Sequence, residues 1–221
     1  LLLVCNAGEE GLGNLKGVHK ICEDFGDRIE RFCTFDSSLS SIVDRAVGSK
    51  RFRVRVRTRG GHSYDDFGND NAIAGLASLV GKLYGIRVPE GGKTTYNVGM
   101  ISGGTSVNTI AQEAEMLYEF RSDRRENLEY MERQFMEVFD RAKAEGMDVS
   151  FKVIGVRPCE GQVDPKRKQA LSDWAHRVVE EMTGQAPKHC AGSTDCNIPL
   201  SLGIPSVCVG SFRGAGAHTR E

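Results

Sequence analysis

Nothing in this 221-residue sequence is long and apolar enough to cross a bilayer, which takes about 20 consecutive apolar residues. An excess of either charge is also missing. Lys and Arg number 29 against 30 Asp and Glu, a formal net charge of −1, which argues against a general nucleic-acid or membrane-surface binder. No Cys-x-x-Cys pair occurs among the seven cysteines (5, 22, 33, 159, 190, 196 and 208). Their odd number and irregular spacing indicate neither a disulfide framework nor a zinc ribbon, so reduced thiols in a cytoplasmic protein are the expectation. The opening LLLVC has no basic stretch before it and no small residue ahead of Cys5, and is not read as a secretion or lipoprotein signal. What is present, 39% hydrophobic and 27% charged residues, suits one large globular domain or two small ones.

The apolar pattern divides the chain into three parts. In the first, Leu1–Val4 reads as a short buried strand. Residues 11–24 read as a helix with Leu12, Leu15, Val18, His19 and Cys22 on one side, and RIERFCTFD as a strand ending at Asp36. The middle part is sharper. KRFRVRVRTRG (50–60) alternates strictly, Phe52, Val54 and Val56 against Arg51, Arg53, Arg55, Arg57 and Arg59. A helix over 70–86, strands over 94–102 and 113–121, a helix over 124–145 and a strand over 147–156 follow. That order is the split pattern of ferredoxin-like domains. Its first and third strands are antiparallel neighbours, so Glu113, Glu115 and Glu119 are expected to form an acidic ladder beside the arginines. A self-neutralised open face is therefore expected rather than a nucleic-acid stripe.

In the last part, PKRKQALSDWAHRVVEEMTG reads as an amphipathic helix with Leu171, Trp174, Val178 and Met182 inward. TDCNIPLSLG reads as a short helix and IPSVCVG as a buried strand. The boundaries expected are 1–48 and 161–221 for one α/β layered domain and 49–160 for the unit inserted in it.

One stretch resists this plain reading: GEEGLGNLKG places two adjacent carboxylates, Glu9 and Glu10, between glycines. A dinucleotide fingerprint would explain Gly11, Gly13 and Gly17, but the spacing is GxGxxxG and two carboxylates would confront a pyrophosphate. A helix N-terminus would explain one glutamate better than two. A metal site with its base explains both, since one carboxylate can ligate a cation while its neighbour takes a proton from water. Asp36 at a strand end and His218 in the loop GAGAHT are the further ligands this reading suggests.

Taken in order, GEEG, FDSS, GGHSYDDFGNDNAI, GGTSVNTIAQEAEMLYEFR, GSTD and GAHT resemble the co-catalytic zinc metallopeptidases and amidohydrolases. That family includes carboxypeptidase G, acetylornithine deacetylase, succinyl-diaminopimelate desuccinylase, aminoacylase and peptidase T. The resemblance implies an α/β catalytic domain with an inserted ferredoxin-like lid that dimerises. It also implies hydrolysis of peptide or N-acyl amide bonds in small substrates bearing a carboxylate. Glu9 would be the general base, Glu10 and His218 would ligate one zinc and Asp36 the other, with cobalt or manganese as substitutes. His62 would reach the active site of a second copy and polarise the scissile carbonyl. Asn108, Arg121 and Gly192-Ser193-Thr194 would grip the substrate. An Asp rather than Glu at position 36 is associated with the peptidase members.

The same resemblance requires a His-x-Asp motif and a bridging aspartate ahead of Glu9, where only eight residues stand. The chain is thus expected to be a C-terminal portion of such an enzyme, weak in metal and nearly inactive as it stands. A non-catalytic dimerisation module and a dinucleotide-binding enzyme using GLGNLKG are the alternatives. Asp195 is given no role, and His19, His176 and His189 match no motif and read as structural or surface residues.

Overall fold

The computed structural model describes residues 1–36 and 38–212. Along the chain run α1 (Lys16–Phe25), β1 (Phe32–Phe35), β2 (Ser41–Ala46), β3 (Gly48–Arg57), β4 (Gly61–His62), α2 (Ala72–Tyr84), β5 (Thr94–Gly103) and β6 (Thr109–Ile110). They are followed by β7 (Glu113–Ser122), α3 (Arg125–Ala144), β8 (Asp148–Arg157), α4 (Pro165–Thr183), β9 (Lys188–Gly192), α5 (Asn197–Ser201) and β10 (Ser206–Val209). These fall into two compact units. One gathers 1–48, 123–125 and 157 onward, and the other 49–122 and 126–156.

The first unit is built on a four-stranded mixed sheet in the order β1-β10-β2-β9. β1 and β10 are parallel, β10 and β2 antiparallel, β2 and β9 parallel. Successive strand residues point to opposite faces, and both faces are covered. Ile42 and Val207 pack on Leu171, Ala175 and Val179 of α4. Val43, Ala46 and Cys208 pack on Cys196 and Leu200, at and beside α5. α1 joins that second layer through Leu15, Val18 and Cys22, which meet Ile198. The result is helix on sheet on helix. α4 starts where Asp164 accepts hydrogen bonds from the Lys166 and Arg167 amides with Pro165 just inside, a strong N-terminal signal.

Three expectations fail here. Leu1–Val4 form no strand and are exposed. An apolar run becomes a strand only where a neighbour takes its backbone hydrogen bonds, and no described strand pairs with it. The helix expected from residue 11 begins at Lys16, after a 3-10 turn over Gly11–Gly13, and Leu12 in that turn and His19 in α1 are exposed rather than inward. In α4 the buried stripe is Leu171, Ser172, Ala175 and Val179, while Trp174 and Met182 are 45% and 82% exposed. The sheet selects the i, i+4 row with a small alanine at closest approach, not the row with the largest apolar side chains.

The second unit has a four-stranded sheet in the order β5-β7-β3-β8. That is the ferredoxin-like arrangement of a strand-helix-strand-strand-helix-strand chain. One face carries α2 and α3. Phe52, Val54 and Val56 of β3 and Met116, Tyr118 and Phe120 of β7 bury there against Leu76, Leu79, Leu83, Met131, Phe135 and Phe139. The other face is the charge ladder. Arg51 meets Glu119 at 3.1 Å, Arg53 meets Glu115 at 3.4 Å, Arg55 meets Glu115 at 2.8 Å, and Arg57 meets Glu113 at 2.9 Å. Arg59 lies past the strand end, and its backbone carbonyl accepts from the Gln112 side chain.

Phe135 is the hub of the helix-covered face. Its ring lies 4.2 Å from Phe52, 4.6 Å from Phe139, 5.3 Å from Phe151 and 5.7 Å from Tyr118, centroid to centroid. Phe135→Ala is expected to lower the unfolding free energy by about 3–5 kcal/mol. Chemical denaturation that shows a loss below about 1 kcal/mol would mean that the cluster is not the core of this unit.

Candidate active site

Glu9 stands where the chain turns into the Gly11–Gly13 3-10 turn, and its side chain is mostly buried in the first unit. Arg157, the last residue of β8, holds it twice. Arg157 Nη1 donates to Glu9 Oε1 at 2.9 Å, and Nη2 donates to the Glu9 backbone carbonyl. The same Nη1 donates to Ser193 Oγ at 3.1 Å. Only 4% of the Arg157 side chain is exposed. Burial pushes the Glu9 carboxyl above its ordinary value; Arg157 pulls it back down, and Glu10 and Asp195 push it further up. A carboxylate held in place and raised in pKa has the properties of a general base.

The loop after β9 supplies the second acid. Asp195 Oδ2 accepts from Asn6 Nδ2 at 2.9 Å, while its buried Oδ1 has no hydrogen-bond partner among the described residues. Burial raises its pKa, Asn6 and Arg157 oppose the rise, and Asp36 adds to it. Glu10, Glu9, Asp195 and Asp36 thus form a chain of carboxylates within electrostatic reach of one another. Of the expected substrate-gripping trio, Gly192 pairs with Ala46 in the sheet, and an added Cβ would come 3.0 Å from Val43 Cγ1. Thr194 is buried, its amide donating to Asn197 Oδ1 at 2.9 Å and its hydroxyl accepting from the Cys196 amide. Ser193, through Arg157, is the member nearest Glu9 chemically.

The expected metal ligands are only partly on view. Asp36 follows β1, its amide donating to the Val209 carbonyl at 3.1 Å, so it caps the same sheet end as β10. Glu10 is exposed beside Glu9. His218 lies outside the described residues. Among the described residues no three His, Cys, Asp or Glu side chains converge closely enough to hold an ion. The carboxylate oxygens suit a divalent cation chemically, yet they do not make a zinc cage by themselves.

The remaining expected site residues belong to the second unit. His62 forms β4 with Gly61 and pairs with β6, Gly61 opposite Ile110 and His62 opposite Thr109. The glycines before it are obligatory. Gly60 and Gly61 have φ of +69° and +142°, and a Cβ on either would collide with Gln112 or Asp66. His62 Nδ1 accepts from the Tyr64 and Asp65 amides at 3.3 and 3.4 Å. In the neutral ring the proton is then on Nε2, free to donate outward. The Asn108 carbonyl accepts from the Ser63 amide at 2.9 Å, which ties the GGTSVNT loop to the histidine loop. A cavity of about 430 Å³ opens beside them, lined by Gly61, Gly103, Thr105, Thr109, Glu113 and Glu115 among others. Arg121 is already engaged by Glu119, at 2.7 and 3.1 Å in a two-pronged pair. Together with Arg51 it pulls the Glu119 carboxyl below its usual value against the effect of burial.

Comparison with known proteins gives the fold its relatives. Residues 46–147 match the family model described as a peptidase dimerisation domain, M20_dimer. A homolog of a p-aminobenzoyl-glutamate hydrolase component from Haemophilus influenzae is 35% identical over 119 residues, covering 53% of this chain and 26% of that protein. Among solved structures, a tripeptidase from Staphylococcus aureus superposes with a TM-score of 0.70 at 21% identity, over 89% of this chain and 52% of that one. Aminopeptidase PepT from Bacillus cereus superposes with a TM-score of 0.68 at 24% identity, over 93% and 54%. Residues 46–147 thus carry the M20-type peptidase dimerisation domain, and the solved neighbours, below 25% identity, share the fold. The chain spans about a quarter of that curated relative and about half of those solved structures.

Sequence reasoning missed Arg157 and Asn6. A lone arginine ending the strand VIGVR, directly before Pro158, was the available signal for the first; Asn6 had none. Asp195 yields a test of the site's electrostatics. Its folded pKa is raised, so the stability it contributes is fully present at low pH and is lost as pH rises through that pKa. Asp195→Asn keeps an oxygen to accept from Asn6 and removes the charge. Its melting temperature is expected to exceed that of the native chain at pH 7, with the gap closing below about pH 4. A variant less stable at pH 7 would contradict this account of the cluster.

Proposed function

We propose that this chain carries the base and the dimerisation lid of a metal-dependent hydrolase acting on peptide or N-acyl amide bonds of small carboxylate-bearing substrates. The observation that carries this is the buried, pKa-raised Glu9, fixed by Arg157 beside Asp195, in a chain whose residues 46–147 form a peptidase dimerisation domain. The relatives' names, an aminobenzoyl-glutamate hydrolase component, a tripeptidase and an aminopeptidase, bracket the substrate class. The compartment we infer is the cytoplasm, in keeping with seven free thiols.

Glu9 takes the proton of the attacking water and returns it to the leaving nitrogen. His62 of a second copy donates Nε2–H to the developing oxyanion, as its tautomer permits. Asn108, Ser193 and, once released from Glu119, Arg121 orient the substrate. Zinc is the ion we propose, with Glu10, Asp36 and His218 among its ligands and cobalt or manganese as substitutes; when bound it would acidify water. The 221-residue chain alone is expected to hold zinc weakly and turn over slowly, and two tightly held ions per chain would overturn that. The dinucleotide reading has lost its footing, because no described strand leads into GLGNLKG.

The test uses a longer protein that carries this segment and has measurable hydrolase activity. Glu9→Gln is expected to lower kcat by about 10²–10⁴ with little change in KM, and His62→Ala by about 10²–10³. Mixing the two inactive variants should restore activity, because one site of each mixed dimer then holds both native residues. Full activity in Glu9→Gln would refute the base assignment. No recovery on mixing would refute the shared site, leaving the lid as a dimerisation module only.

A further inference from the structure

Away from the carboxylates, the sheet of the first unit carries a pair of histidines that the proposed hydrolysis does not use. His176 projects from α4 and His189 from β9, each about one-third exposed. His176 Nδ1 lies 2.9 Å from His189 Nε2. The ring planes differ by 8° and the centroids are 5.2 Å apart. So short an N···N distance at that separation requires the rings to meet edge to edge in one plane, with their in-plane nitrogens pointing at each other.

Each ring is backed on its far side by a carboxylate. His189 Nδ1 is 2.6 Å from Asp44 Oδ2, and His176 Nε2 is 3.8 Å from Glu180 Oε2. Ser172 Oγ donates to the same Asp44 oxygen at 2.8 Å, and Arg45 Nε stands 3.9 Å from Asp44 Oδ1, so Asp44 is fixed from three sides. An ionised Asp44 only accepts. His189 therefore carries its proton on Nδ1, its Nε2 offers a lone pair, and His176 donates Nδ1–H into it. Imidazoles whose outer nitrogens face carboxylates and whose inner nitrogens face each other are half of a metal site with its outer shell in place.

We propose that His176 and His189 together bind a first-row transition cation with a preference for imidazole, namely Zn²⁺, Ni²⁺ or Cu²⁺. Binding moves the ring proton of His176 from Nδ1 to Nε2, where it faces Glu180, so the neutral pair releases no net proton. The freed Nδ1 and His189 Nε2 then ligate one ion, and water fills its other positions. Metal–nitrogen bonds of about 2.0–2.1 Å in a tetrahedral site ask the two nitrogens to open from 2.9 Å by a few tenths of an ångström. Rings that meet head-on must also turn by about 70° in sum for both lone pairs to reach one tetrahedral ion. Rotation of the His176 side chain, one-third exposed on α4, supplies that turn. With two protein ligands the site is weaker than a closed four-ligand cage. It is independent of Glu9, Glu10 and Asp36.

Zinc titration of the full 221-residue chain under thiol-protecting conditions tests this, read by calorimetry and by ¹⁵N spectra of labelled histidines. The expected result is a shift of His176 Nδ1 and His189 Nε2, with the His176 proton appearing on Nε2. His176→Ala and His189→Ala should each weaken binding at least about tenfold and Asp44→Asn about tenfold, while His19→Ala changes nothing. His176 lies on a helix surface, so His176→Ala keeps the fold and decides the matter even if His189→Ala does not. Ring nitrogens that stay in place at saturating zinc would overturn the proposal. So would an affinity untouched by His176→Ala, which would put the ion on the carboxylates or the thiols instead.

Discussion

One buried guanidinium sets the terms for the candidate site. Arg157 meets the Glu9 carboxylate, the Glu9 carbonyl and the Ser193 hydroxyl at once, joining the start of the chain, the end of β8 and the loop after β9. Glu10, Asp195 and Asp36 all add negative potential around it. A buried charge is tolerated only when it is paired and hydrogen-bonded, and here one cation serves a group of acids that would otherwise push apart. The residual imbalance shows in the raised pKa values of Glu9 and Asp195. Such imbalance is what a proton-accepting site requires, and it is also what a divalent cation would relieve.

The second unit solves a different electrostatic problem by symmetry. Its open sheet face carries like charges along each strand, and cross-strand pairing offsets most of them, Glu113, Glu115 and Glu119 being shared among Arg51, Arg53, Arg55 and Arg57. Arginines paired in this way present little free positive charge, which fits a dimerisation domain better than a nucleic-acid platform. The loops that carry His62 and Asn108, GGHS and GGTSVNT, are tied together by β4 and β6 and by the Ser63–Asn108 backbone bond.

Much of this unit was legible in the sequence, because strict alternation in β3 and β7 and helical spacing in α2 and α3 report burial on one face only. The first unit was less so. β2 and β9, SIVDRA and KHCAG, offer at most two adjacent large apolar residues each, and their strand character comes from pairing, β2 with both β10 and β9. Leu1–Val4 had the right composition and, among the described residues, no ladder to join. Trp174 falls on the apolar row that helical spacing picks out, whereas the sheet packs against the neighbouring row at Ala175. In the site, Glu9 stood out as half of an unlikely acidic doublet. Arg157 did not, since a charged residue at a strand end looks like the alternation around it until the fold buries it. The resemblance carried by GEEG, GGHS and GGTSVNT supplied the roles, and the three-dimensional contacts supplied the partner that holds Glu9.

The account stands on the coupling between Glu9 and Arg157, and a double-mutant cycle of Glu9→Gln and Arg157→Met measures it. Unfolding free energies of the four proteins should yield an interaction energy of about 1–3 kcal/mol at pH 7. Additivity within about 0.5 kcal/mol would mean that the two residues do not hold each other, and the site described around them would lose its anchor.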